Sequence, residues 1–527
     1  MTLIKTMTKT LVLMAVLAVS YQAVADNQDL AKGIVLKAVT VTGATVFTDA
    51  DLDRAMAPAI GETVYIEDIL GMVDAITALY VAAGYITSGA VLPDQDVADG
   101  GITISVVEGQ LNGVNIKSAG RLKTAFIESK INATARGPLN LADLQKAISR
   151  LEAEATISHV RGDLKPGDTR GTSVLDLEVV EADAFKVLVG ADNYKSPSVG
   201  EGQAVVSLVH LNLLGYNDQL NVSAQQSDGV EAMSLRYDVP ISVLRSRLAV
   251  YHSQGDTLVV EEPFDEIFLE SETDTSGVQL SSTWQEDNGR SWRTNLSWET
   301  KESLTTLLGL PFDFSPGSRL GVTEASVLGF NVEYSQRGDG MGFMLRAGLR
   351  SGSDDNGQGS ANNDDGDFSL YQVQTQWIKR LNQDPLQPAW LVKFNLNYQE
   401  TSDTLPAFER MGLGGHGTVR GFRENRWLKD SGLTASLMLG APLLQSDGQN
   451  GIAVRAELFY DYGRGENSVA ALNVDTKVSL RSAGFGLTAE YQKLSFRIER
   501  ALRLNKKNKL GNALQDSGIH VGVTYEL

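Results

Sequence analysis

The sequence contains no cysteine, so neither a disulfide framework nor a thiolate metal site can be built from it. Histidine is scarce, five residues in 527, and there is no H-E-x-x-H pair and no G-x-S-x-G elbow. Carboxylates abound, but none forms a recognisable acid/base pair, so the sequence predicts no catalytic residue, no metal, no cofactor and no enzyme activity. After the first 25 residues no window supplies the ~18 or more apolar residues of a transmembrane helix. Positive charge is short as well, 46 Lys and Arg against 65 Asp and Glu for a net −19. That balance excludes nucleic acid, whose phosphates require a basic surface, and otherwise reads as a solvated exterior.

Residues 1–25 have the pattern of a secretory signal. Lys5 and Lys9 form a positive start, Thr10 to Val19 an apolar stretch too short to span a bilayer, and Ala23-Val24-Ala25 the small-residue cleavage pattern ending at Ala25. The mature chain is therefore expected to be exported. An exported chain without transmembrane helices is either soluble or a membrane β-barrel, whose signal per segment is weaker than a helix's.

From Gly33 to Gln110 the pattern alternates between strand and helix. Val35 to Val41 reads as a strand, Thr48-Asp49-Ala50-Asp51 as a helix N-cap with acids in the first turn. Ile66, Ile69, Leu70, Val73, Ile76 and Tyr80 recur at three and four, predicting the apolar face of a helix stopped by Gly84. Strands Tyr85 to Leu92 and Ile102 to Val107 flank the turn Pro93-Asp94-Gln95-Asp96. Residues 111–183 repeat the order, with helices at Thr124 to Asn132 and Leu141 to Leu151 and strands at Leu111 to Ile116, Val160 to Leu164 and Ser173 to Glu181. A tandem small α+β unit without a catalytic cluster is more often a binding array than an enzyme.

After Ala184 the helical period disappears. Leu220, Val222 and Ala224 alternate with Asn221, Ser223 and Gln225; Tyr371, Val373, Thr375 and Trp377 alternate with three glutamines; Val521, Val523, Tyr525 and Leu527 alternate with Gly522, Thr524 and Glu526. Such alternation predicts strands with one apolar and one polar face. Polar faces rich in Gln, Asn, Arg and Lys, aromatic residues near strand ends (Trp292, Trp298, Trp377, Trp390, Tyr398) and loops of very unequal length favour a lipid-facing barrel over a soluble sandwich. Residues 184–527 accommodate about sixteen strands at roughly 21 residues per strand and connection. The acidic tract from Asp354 to Asp367 does not match the ligand spacing of a calcium loop and reads as solvated.

Two stretches stand out within the barrel pattern. Gly412, Gly414, Gly415, Gly417 and Gly421 crowd the segment around Val419-Arg420-Gly421-Phe422, which therefore must be a loop that bends tightly or approaches something closely. About forty residues on comes Phe459-Tyr460-Asp461-Tyr462-Gly463. Parity places Arg455, Glu457, Phe459 and Asp461 on the lumen face, so a loop folded into the barrel brings Arg420 within reach of Asp461 for a charge-assisted, two-pronged contact.

In this order and spacing, these residues resemble the hemolysin secretion/activation proteins, outer-membrane transporters of the two-partner secretion type within the wider superfamily of POTRA-plus-barrel translocators and insertases. Val419, Arg420, Gly421 and Phe422 match the lumen-loop motif, and Phe459, Asp461 and Gly463 its partner strand. Gly84 to Ser88, Leu92 to Asp96 and Val106 to Gly109 are similar to the first POTRA domain of that family. Pro138-Leu139-Asn140, Leu144-Gln145 and Lys165-Pro166-Gly167 fit the second, and Asn212 to Gly215, Asp218 and Arg236 to Pro240 fit the start of the barrel.

The resemblance implies a signal peptide (1–25), a short segment (26–32), POTRA domains at 33–110 and 111–183, and a transmembrane antiparallel β-barrel of about sixteen strands at 184–527. It implies an outer-membrane protein with periplasmic POTRA domains that captures an unfolded exoprotein and secretes it through the pore, surrounded by the lipid bilayer and lipopolysaccharide. Gly522, Tyr525 and Leu527 of the last strand resemble the signal read by the barrel assembly machinery, although Leu527 replaces the customary aromatic end. With only Asp26 to Lys32 ahead of the first strand, the plug helix found in many members is expected to be absent. An insertase of other barrels shares the motif loop and is the alternative; a passive porin-like channel has no use for POTRA domains.

Overall fold

The computed structural model describes residues 33–527 apart from 119, 135–136, 242–244, 288, 315–317, 355–365, 383–387, 447–450, 470–475 and 507–510. The signal segment with Ala25, the segment 26–32 and most of the acidic tract lie outside the described residues. The chain divides after Ala182 into two compact units.

The first unit holds two successive α+β repeats. In the first, Ala38–Thr42 runs parallel to Gly101–Val107, which pairs antiparallel with Gly89–Val91. Helices Asp49–Met56 and Ile66–Ala82 cover the sheet. Thr48 caps the first of them, and Asp51 reaches back to the Thr48 backbone N–H, satisfying amides that the helix start would leave unpaired. The second helix buries Ile69, Met72, Val73, Ile76 and Tyr80. Leu70, expected on that face, instead points outward, because it lies a full residue step round the helix from the stripe that Ile69, Val73, Ile76 and Tyr80 define. The strand expected over Tyr85 to Leu92 shrinks to Gly89–Val91: the Tyr85 ring packs edge-on against Phe47 and Tyr80, and the Ser88 hydroxyl accepts the Gly109 N–H.

The second repeat has the same pairing. Gln110–Ser118 lies parallel to Thr172–Glu181, which pairs antiparallel with Ile157–Pro166. Helices Thr124–Thr134 and Leu141–Glu152 pack on this sheet around Ile127, Ile131, Leu144 and Leu151. Each repeat therefore has its own apolar core. Between them, Leu139 N–H donates to the Gly109 carbonyl and Leu141 N–H to the Gly84 carbonyl.

The second unit is a closed antiparallel barrel of sixteen spanning strands, with a two-residue piece, Leu310–Pro311, added at one rim. Its first strand, Phe185–Asp192, pairs with its last, Ile519–Glu526, from Asp192 opposite Gly522 to Leu188 opposite Glu526. Both seam strands have eight residues, whereas Leu269–Asp287 and Arg290–Leu307 have 19 and 18. The alternation is physical: Leu458 and Tyr460 are exposed on the outside while Glu457, Phe459 and Asp461 are buried within. No helix among the described residues is long and apolar enough to cross a membrane; the strands do so, with an apolar exterior band that includes Leu280, Leu296, Phe330, Leu437, Phe485 and Ile498. Trp298, expected near a strand end, stands in the middle of an 18-residue strand that runs on beyond the apolar band.

Candidate functional site: a loop pinned inside the barrel

Residues 401–430 connect strands Leu391–Glu400 and Ser431–Gln445. Their two ends are tied together, Thr401 N–H donating to the Ser431 hydroxyl and that hydroxyl to the Thr401 carbonyl. A short ribbon, Met411–Leu413 against Trp427–Lys429, carries the motif segment at its tip. Gly414 and Gly415, at φ 108° and 101°, make the turn, and the Thr418 hydroxyl bridges the Gly414 N–H and carbonyl.

Val419 and Phe422 point to one side of the segment and are fully buried with Leu413, Val478 and Leu480. Arg420 points to the other. Its Nε and Nη2 donate to the two Asp461 oxygens at 2.8 and 2.7 Å, and its backbone N–H reaches Oδ2 at 3.1 Å. Nη1 donates to Glu499 at 2.9 Å and Nη2 to the Ser436 hydroxyl at 3.0 Å. The guanidinium carbon lies 3.4 Å from the centroid of the Phe459 ring. Every face of this cation is thus used by a carboxylate, a hydroxyl or a π face, in a place that solvent barely reaches. Removing one partner from such a buried pair leaves an uncompensated charge, at a cost of about 3–5 kcal/mol.

Both motif glycines have steric work. A Cβ on Gly463 would stand 2.6 Å from Val419 Cγ2, so the absence of a side chain there lets the loop lie against the wall. Gly421 adopts φ 90°, and a Cβ would press on Ala501 at 3.0 Å. Its N–H donates to His520 Nε2 and its carbonyl accepts from Arg503, which ties the loop to the closing strand and its neighbour. Gly522 and Tyr525 lie on that closing strand, Tyr525 facing outward, and Leu527 N–H donates to the Val187 carbonyl; none of the three touches Arg420.

Sequence reasoning missed most of the remaining attachments. Glu499 is the second carboxylate on Arg420, and its other oxygen lies 2.8 Å from His416 Nδ1, a ring stacked 3.9 Å from Tyr194. The alternation of Phe496, Ile498 and Leu502 with Arg497, Glu499 and Arg503 already marks Glu499 as inward-facing. Glu409 near the start of the loop meets Lys301 at 2.8 Å and Arg350 at 3.0 Å, and Arg350 also holds Glu299 at 2.8 Å. Arg410 binds Asp430 at 3.0 Å. Arg423 makes two bidentate contacts, to Glu261 at 2.7 and 2.8 Å and to Asp516 at 2.7 Å from both Nε and Nη2, joining three loops at the far rim. No local pattern announces these pairs.

At the opposite rim, Asp218 accepts from the backbone of Leu214 and Tyr216 and from the Tyr237 hydroxyl, so Asn212 to Asp218 and the Arg236-Tyr237-Asp238 stretch form one turn structure. Burial alone would raise the Asp218 pKa, but these donors outweigh it and hold the carboxyl below the usual range.

Residues 171–489 match the family described as haemolysin secretion/activation protein ShlB/FhaC/HecB, and residues 22–109 match the ShlB-type POTRA domain. The outer membrane transporter CdiB of Escherichia coli is 28% identical over 407 residues, 74% of this chain and 66% of that protein. The heme/hemopexin transporter protein HuxB of Haemophilus influenzae (strain 86-028NP) is 21% identical over 474 residues, 84% of this chain and 78% of that protein. The alignment with CdiB therefore spans slightly under two thirds of the relative's length. Among solved structures, CdiB from Escherichia coli superposes with a TM-score of 0.71 at 21% identity, covering 96% of this chain and 92% of that one. BamA from Haemophilus ducreyi lacking POTRA domains 1–3 gives 0.53 at 14%, covering 94% and 100%. At these identities the superpositions speak to the fold.

Proposed function

The chain belongs to the haemolysin secretion/activation protein family, and from that membership we propose that it is an outer-membrane translocator for two-partner secretion. Its POTRA domains, at 33–110 and 111–183, receive an unfolded exoprotein in the periplasm, and the barrel at 184–527 conducts it outward. Signal cleavage follows Ala25. The apolar exterior faces the bilayer, with lipopolysaccharide in its outer leaflet, and the closing strand with Gly522, Tyr525 and Leu527 is read by the barrel assembly machinery. No residue is assigned a catalytic role.

The observation that carries this reading is the family match over residues 171–489, and the loop held against the lumen wall by Arg420 on Asp461 and Glu499 is consistent with it. A passive channel has no use for the two α+β repeats that precede the barrel, whereas a translocator needs them to receive its client. Capture fits strand addition. Ile157–Pro166 is a ten-residue edge strand with one sheet neighbour, and such an edge offers backbone hydrogen bonds to a client without demanding a particular sequence. Folding of the client outside the cell supplies the direction of movement.

The test compares the culture medium and the outer membrane of cells with and without this chain. Loss of one large protein from the medium, with the membrane profile unchanged, is the expected result. Loss of many barrels from the membrane instead would favour an insertase, and no change in either would favour a passive channel.

A further inference from the structure

Beyond the apolar band, the outward face of the barrel changes character twice. On the hairpin of Leu269–Asp287 and Arg290–Leu307 the outward side chains pass from Val278, Leu280, Leu296 and Trp298 to Glu270, Glu272, Asp274 and Glu302. Glu231 and Asp256 continue this acidic zone on the neighbouring strands. Glu231 stands opposite Asp256, Asp256 opposite Glu272, and Asp274 opposite Glu302. Like charges directly across an antiparallel pair repel, and His252 lies 3.6 Å from Asp274.

Above the acids the surface turns apolar again. In segments 258–269 and 307–314 and at Leu320, the side chains of Phe264, Phe268, Leu308, Leu310, Phe314 and Leu320 are each between 56% and 73% exposed. The Leu308 N–H donates to the Ile267 carbonyl, so the two loops form one crest. Phe268, Leu308 and Leu320 sit at φ 44°, 54° and 54°, the left-handed region that large side chains avoid. These three residues are thus unfavourable in backbone as well as in exposure, a combination that persists where function requires it.

The bilayer does not cover this crest. Leu308 is ten residues past Trp298, about 33 Å along a strand at ~3.3 Å per residue and about 25 Å higher at a tilt near 40°. The intervening carboxylates also repel anionic headgroups. The lumen, by contrast, is adjacent: Glu261, three residues before Phe264, is gripped by Arg423 of the internal loop.

We propose that this crest is a docking surface for the exported polypeptide as it leaves the pore, taking extended segments rich in apolar side chains. The inference rests on the secretion reading above. It assigns to Phe264, Phe268, Leu308, Leu310, Phe314 and Leu320 the first contact outside the barrel, where an unfolded client would otherwise expose its apolar residues to water.

The experiment uses the full chain in cells whose dependent secreted protein has been identified from the medium. A photoreactive benzoylphenylalanine is placed at Leu310, with Glu302 in the acidic zone as the control position. In parallel, Phe268→Asn, Leu308→Asn, Leu310→Ser and Leu320→Asn are combined; asparagine tolerates the left-handed backbone, which favours retention of the fold. The expected result is a cross-link from position 310, absent from 302, to the secreted protein. The combined variant should release about tenfold less of it, equivalent to about 1.4 kcal/mol, at an unchanged level of heat-modifiable barrel. Cross-links only to lipopolysaccharide or to a second copy of the chain would overturn the proposal, as would normal release by the variant. If the variant's barrel level falls, the cross-link in the otherwise native chain decides. Should no protein in the medium depend on the chain, the secretion reading itself fails and the crest loses its occupant; dependent secretion without a cross-link at 310 removes the crest alone.

Discussion

The internal loop is attached to the barrel wall at two places of opposite polarity. Near its start the loop supplies the anion, Glu409, and the wall supplies Lys301 and Arg350. At its tip the loop supplies the cation, Arg420, and the wall supplies Asp461 and Glu499. A loop rotated or shifted in the lumen would bring like charges together, so the reversed polarity specifies one placement. The two anchors differ in how they tolerate loss. The wall cations at Glu409 share a second carboxylate, Glu299, whereas Asp461 and Glu499 both depend on the Arg420 guanidinium, with His416 and Arg497 near Glu499 in addition.

Breaking the tip anchor should therefore have the largest effect. Arg420→Ala is expected to abolish secretion while the barrel still assembles, because it leaves two buried carboxylates without their shared cation at about 3–5 kcal/mol. Normal export by an Arg420→Ala strain would remove the tip anchor from the mechanism. Gly463→Ala attacks the same anchor by volume alone: its methyl group meets Val419 at 2.6 Å, so the tip or the wall must give way. We expect a destabilisation of about 1–3 kcal/mol, read as protease cleavage within 401–430 that wild type resists; equal resistance would show that the wall yields instead.

Glu409→Gln should be milder, since Glu299 stays beside Lys301 and Arg350, with a loss of about 1–3 kcal/mol and partial secretion. The comparison sharpens in the double variant Glu409→Gln, Arg420→Ala. Because Arg420→Ala alone already removes export, the double variant is read by barrel stability: a further loss beyond Arg420→Ala means that the Glu409 anchor holds independently, and no further loss means that the two anchors fail together.

The smallest effect belongs outside both anchors. In the first α+β repeat, burial would raise the Glu108 pKa, but the hydroxyl and N–H of Thr45, the Tyr80 hydroxyl and the Val46 N–H all donate to the carboxylate and hold it below its usual value. A lowered folded pKa means that this contribution is present above the ordinary carboxylate range and is lost as pH falls through the folded value. Thermal unfolding of residues 33–183 should therefore weaken with acid, by about 1 kcal/mol from this partly exposed group. Glu108→Gln should flatten that slope, and an unchanged slope would assign the acid sensitivity elsewhere.

Local regularity made much of this architecture readable in advance. Period-two alternation is decided residue by residue, so Glu457, Phe459 and Asp461 could be placed in the lumen without any knowledge of their neighbours, and the 3.6-residue period located the helix Ile66–Ala82. Glu499 was missed, although the alternation of its own strand places it inward, because nothing there says what it would meet. The errors came where contacts overrode local pattern. Leu70 satisfied the spacing of a core face yet lies outside it, and Tyr85 left its expected strand because the Phe47 and Tyr80 rings hold it.

The sequence by itself determined most element types, the two-faced character of the barrel strands, and the glycine-rich segment that had to bend around Arg420. Only the tertiary structure decided which charges meet. Glu409 lies 108 residues from Lys301, and Arg423 lies 162 from Glu261 and 93 from Asp516. Such pairs exist because closing a sixteen-stranded sheet brings distant strands round one lumen. Charge complementarity across that space has no period along the chain, so it becomes visible only when the barrel is closed.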